Sequence, residues 1–141
     1  MEKEFIPYEQ ALALKELGFD EPCFSIYYSK DKSFSWHHHK DHTNDEPMLD
    51  NKEFNISAPL YQQAFRWFRE KYDLYHVITI KDLGKYEEGT PDFQCAIYSK
   101  NPVLITNMDK YKTYEEAELE CLKKLIELVK LCTPKPVDNG K

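Results

Sequence analysis

The chain has 141 residues, enough for one ordinary globular core, with 41% apolar, 14% aromatic and 31% charged residues. That composition excludes wholesale disorder, and no apolar run approaches the roughly 18 to 20 residues needed to span a bilayer. The net charge is -6. Residues 1–56 hold 6 Lys/Arg against 12 Asp/Glu and residues 57–133 hold 11 against 12, so the acidic excess lies in the N-terminal part and should repel nucleic acid.

In chain order, Pro7 opens a helical pattern in which Tyr8, Ala11, Leu12 and Leu14 fall toward one face, and Leu17-Gly18 supplies a stop, so a short helix is expected over about 8–17. The run Cys23-Phe24-Ser25-Ile26-Tyr27-Tyr28 is rich in β-formers and reads as a strand. A ragged second strand with Phe34 and Trp36 follows, within a long polar loop at about 29–55. Ser57 can cap a helix over about 58–72 whose Tyr61, Ala64, Phe65, Phe68 and Tyr72 share one arc, opposite Gln62, Arg66, Arg69 and Glu70.

Tyr75 to Ile80, Phe93 to Tyr98 and a short Val103 to Thr106 read as strands of an antiparallel meander. Thr113 and Glu116 form a capping box at the start of a helix over about 113–131, which Ala117, Cys121, Leu122, Leu125, Leu128, Val129 and Cys132 furnish with an apolar face. The two prolines and absent pattern of 133–141 indicate a disordered tail. The expected architecture is α+β: a single domain over 1–132 with three helices on an antiparallel sheet of four to five short strands. The cysteines Cys23, Cys95, Cys121 and Cys132 lack a C-x-x-C pair and lie in apolar stretches, as reduced core thiols do.

Three clusters carry candidate chemistry. Arg66 and Arg69, the only arginines in the chain, flank Trp67, which the helical wheel puts at the edge of the apolar arc. Tryptophan and arginine are enriched where partners dock, so these three residues form a candidate partner-binding strip in which Trp67 should be partly exposed. His37-His38-His39-Lys40-Asp41-His42 matches H-x-H-x-D-H, a spacing that can bring imidazoles and a carboxylate to zinc. The chain is too short for the hydrolase fold that carries this signature, which leaves His37, His39 and His42 as ligands of a metal-binding module or metal-dependent enzyme under an alternative reading, with zinc as cofactor there and none otherwise.

The third cluster is the order helix, strand, strand, short strand, helix over 57–131, which resembles the topology of double-stranded RNA-binding domains. Those domains grip phosphates with cations at the start of their last helix. Here that position reads Tyr114-Glu115-Glu116-Ala117-Glu118, which disfavours nucleic acid.

The blocks Pro7 to Phe19, Ala58 to Tyr72 and Thr113 to Val129 resemble, in their wording, small proteins of bacteriophages and of prophage-bearing Bacteroidetes, a family without an assigned activity. The resemblance covers about a third of the chain and implies a setting, the cytoplasm of a bacterial host cell, with no active-site residues to carry over. With no phosphate-cradling glycine loop, nucleophile elbow or exposed thiol beside a base, no catalytic residue is assigned. The reading is a non-enzymatic acidic protein that binds a host or phage protein, away from membranes.

Overall fold

A computed structural model describes residues 2–36, 43–44, 55–80, 92–101 and 103–132. The chain divides into two compact units, residues 1–71 and 72–141. Among the described residues there are three α-helices and six strands, and the strands form two three-stranded sheets where the sequence led us to expect one of four to five. Local patterning marks strands but carries no record of which distant segments pair, and that is where the expectation failed.

The first unit begins with a single 3-10 turn, Glu2–Glu4, and α1, Tyr8–Glu16. The helix ends in a Schellman motif: Gly18 N–H donates to Lys15 O at 3.0 Å and Phe19 N–H to Leu14 O at 2.9 Å. Gly18 sits at φ +93°, a conformation that side-chain-bearing residues rarely adopt. The turn delivers Phe19 into the interior, 1% exposed.

The first sheet has order β2-β1-β3, from β1 (Ser25–Tyr28), β2 (Phe34–Trp36) and β3 (Asn55–Ser57), all antiparallel. Ile26 at its centre lies opposite Ser35 on one side and Ser57 on the other. A tight connection joins β1 to β2. Lys32 N–H donates to Tyr28 O at 2.9 Å, Asp31 Oδ1 accepts from both the N–H and the hydroxyl of Ser33, and Lys32 takes φ 59°. Phe5 bridges to Leu60, and Tyr27 donates its phenolic proton to Ile6 O at 2.8 Å, so the N-terminal segment is tied to the sheet.

Asn44 joins two remote segments: its Nδ2 donates to Phe19 O at 2.8 Å and its Oδ1 accepts from Ser57 N–H at 2.9 Å. Ser57 is therefore a strand residue and not the helix cap. Helix α2 starts later than expected, at Tyr61, and runs to Tyr72 after the buried Ala58-Pro59.

The second unit is a meander, β4 (Leu74–Ile80), β5 (Phe93–Ser99) and β6 (Leu104–Tyr111), followed by α3, Tyr114–Cys132. β5 is central, and its Cys95 and Ile97 are fully buried, as are Ala117, Cys121, Leu122 and Leu125 of α3, which packs against this strand. The Thr113 half of the capping box is made, with Glu116 N–H donating to Thr113 Oγ1 at 3.1 Å, whereas Glu116 Oε2 reaches one residue past the cap and accepts from Lys112 N–H at 3.0 Å. β6 extends beyond the expected 103–106, with register shifts against β5 and Lys110 at φ 73° that mask its alternation in the sequence. No helix among the described residues is long and apolar enough to cross a membrane.

Candidate functional site

Arg66 and Arg69 lie one turn apart on α2, and with Gln62 they form a stripe at i, i+4, i+7 spacing. Opposite this stripe runs the segment from Glu21 to Phe24, which leads into β1. Gln63 fastens the two together: its Nε2 donates to Pro22 O at 2.7 Å, and its Oε1 accepts from the Cys23 thiol at 3.6 Å. The result is an open groove of about 440 Å³ between helix and segment, lined by Pro22, Phe24, Leu60, Gln62, Gln63, Arg66 and Arg69. That volume falls within the usual range for ligand sites, roughly 300–1,000 Å³.

The alternation of the chain explains the unusual wall. Cys23 and Ser25 point inward and are fully covered, so Phe24 between them points out and is 59% exposed. It lines the groove together with Gln62, Gln63, Arg66 and Arg69. Arg66 makes an ion pair with Glu21 at 3.2 Å, which orients its fork along the rim of the groove. Arg69 is half-buried and has no hydrogen bond or ion pair among the described residues.

Trp67 does not join this surface. It is 4% exposed, where partial exposure was expected. Its indole meets the ring of Phe19 at a centroid distance of 5.5 Å and that of Phe68 at 5.1 Å, and Lys71 Nζ lies 5.2 Å from its ring centroid. The helical wheel of α2 alone puts Trp67 at the edge of the buried arc. Phe19, delivered by the turn at Gly18, widens that arc by one residue. The aromatic that faces solvent next to the arginines is Phe24, and the sequence signal for it was the polar Ser25 interrupting the apolar run.

His37, His39 and His42 lie outside the described residues. Among the described residues, no group of three or more His, Cys, Asp or Glu is placed to hold a metal ion. Cys23, Cys95 and Cys121 are buried as expected, whereas Cys132 is exposed at the end of α3. Cys95 and Cys121 share a thiol hydrogen bond between β5 and α3. That bond and then burial push the Cys121 thiol far above the ordinary thiol range, while the same bond lowers the Cys95 thiol. At the start of α3, Glu115 and Glu116 occupy the first turn.

Compared with family models, curated protein sequences and solved structures, the chain shows no match.

Proposed function

We propose that the protein acts by binding and not by chemistry, with the groove between the segment 21–24 and α2 as its docking site for a host or phage protein. The observation that carries this reading is the exposed Phe24 standing beside the only two arginines of the chain. An aromatic ring and guanidinium groups around a shared concavity are the composition of an interface anchor, where a few residues supply most of the binding energy. The polar groups of the groove also suit binding better than proton transfer. Arginine does not deprotonate near neutrality and glutamine amides do not titrate, and the carboxylate on the rim, Glu21, is engaged by Arg66, so the lining suits hydrogen bonding better than proton transfer.

The groove is held by hydrogen bonds from Gln63 and not by an apolar closure, so it is formed before a partner arrives. Arg66 and Arg69 remain in the proposed site from the sequence reading, with Phe24 taking the place of Trp67 as the anchor.

The test is capture from lysate of a bacterial host with the intact chain as bait, identified by mass spectrometry and run beside Phe24→Asp and the Arg66→Ala, Arg69→Ala pair. A protein held by the wild type and lost from both variants, while their melting temperatures stay close to wild type, is the expected result. Capture that is the same with all three baits would move the docking site elsewhere.

A further inference from the structure

We infer that the occupant of this groove is an acidic peptide segment with an apolar anchor side chain, an inference that rests on the docking reading above. The argument is one of complementarity. Pro22, Phe24 and Leu60 give the groove an apolar part, and Arg66 and Arg69 give it two positive charges about one helical turn apart, with Gln62 and Gln63 on the preceding turn of α2. A guanidinium has five N–H donors in a planar fork. Glu21 engages the Nη2 of Arg66, which leaves donors on the same group for a second acceptor. Arg69 has its whole fork free among the described residues.

A carboxylate is the acceptor whose geometry matches such a fork, and charge-assisted pairs of this kind are the stronger hydrogen bonds. An apolar side chain next to that carboxylate would cover Phe24, now 59% exposed, and remove it from water. A basic segment would instead bring like charge against two arginines. A neutral one would offer only carbonyl acceptors, which are weaker partners for a guanidinium than a carboxylate and leave its charge uncompensated.

Nucleic acid also presents anions, but it presents them in a continuous row. The chain carries -6 overall, and Glu21 stands on the rim of the groove beside Arg66, so a polyphosphate extending past the two arginines meets carboxylates. A short peptide with one or two carboxylates engages the arginines and then leaves the acidic surroundings.

The experiment is selection of a random-peptide display library on the intact protein, beside Phe24→Asp and Arg69→Glu. Peptides enriched on the wild type should carry Asp or Glu adjacent to an aromatic or aliphatic residue. Enrichment should be lost on Phe24→Asp and should shift toward Lys or Arg on Arg69→Glu. A synthetic copy of an enriched peptide should bind about tenfold more weakly to Arg69→Ala, the effect of one charge-assisted hydrogen bond, and less tightly as salt rises. Replacing its carboxylates by amides should weaken it to the same degree.

Enriched peptides without carboxylates, lost on Phe24→Asp, would overturn the acidic occupant while leaving the docking site in place. No difference in enrichment between wild type and Phe24→Asp would overturn both. A labelled oligonucleotide that binds at physiological salt and is released by Arg69→Ala would overturn the peptide in favour of nucleic acid. Circular dichroism of each variant confirms that the comparison is between folded chains.

Discussion

Trp67 and Phe19 meet edge to face, with ring centroids 5.5 Å apart and planes at 68°. Phe19 comes from the turn after α1 and Trp67 from the middle of α2, so this contact fixes where the helix lies against the chain preceding β1. Aromatic pairs in this geometry contribute about 0.5–1.5 kcal/mol beyond the area they bury. Trp67→Ala should therefore destabilise the protein by about 3–5 kcal/mol, the range for large aromatic truncations in a core. Phe24→Ala, at an exposed position, should change stability by no more than about 0.5 kcal/mol. Urea unfolding of the two variants separates these roles, and equal losses would show that Phe24 is a packing residue.

Thr113 caps the first turn of α3 by accepting from Glu116 N–H, and the Glu116 carboxylate accepts from Lys112 N–H just before the cap. Thr113→Ala removes the acceptor for Glu116 N–H and should lower stability by about 1 kcal/mol, while Thr113→Asp should keep it. Chemical denaturation reads the difference, and an unchanged Thr113→Ala would mean that water replaces the cap without loss.

Tyr27 should make stability depend on pH at the alkaline end. Burial, and then the charge of Glu2, raise its phenol above the ordinary value of 10.0, so the fold favours the neutral form that donates to Ile6 O. Its contribution is complete below the unfolded value of 10.0 and declines as pH climbs through the higher folded value. Tyr27→Phe should cost about 1–2 kcal/mol near neutrality, by leaving the Ile6 carbonyl without its donor. It should also flatten the decline in melting temperature above pH 10.0 relative to wild type. A decline of the same slope in both proteins would assign the alkaline loss to other tyrosines.

Zinc tests the alternative reading of His37, His39 and His42. A ligand that binds only the native state adds RT ln(1 + [L]/Kd), about 2.7 kcal/mol at a hundredfold excess over Kd. We expect no rise in melting temperature with zinc and no fall with chelator, because imidazoles crowded in one segment need supporting groups from elsewhere to converge on one ion. A chelator-sensitive melting point, abolished in the His37→Ala, His39→Ala double variant, would favour the metal reading over docking.

The elements that were legible in the sequence are those whose stability is written locally. α3 has a side-chain cap, charges that suit its dipole and a full apolar stripe, and α1 ends on a glycine that only one backbone conformation explains. β3 escaped notice because three residues, Asn55–Ser57, are too few for periodicity, and they form a strand only because β1 lies alongside. The same reason governs the site. Arg66 and Arg69 stand out in one dimension as the only arginines, and the α2 periodicity puts them on the polar face. Phe24 becomes their neighbour only through the hydrogen bonds of Gln63 to Pro22 and Cys23, which join positions about forty residues apart. Trp67 was misplaced because one helix's wheel takes no account of Phe19, which packs on it from another element.

The two hydrogen bonds of Asn44 also bear on chain entropy. The connection from Trp36 to Asn55 is held at an interior point, so ordering the first unit requires two short closures in place of one long one. Closure entropy grows only with the logarithm of length, and doubling either arm adds about 0.6 kcal/mol. Removing the Asn44 amide takes one hydrogen bond from Phe19 O and one from Ser57 N–H, and with them a direct tie between the turn after α1 and the end of β3.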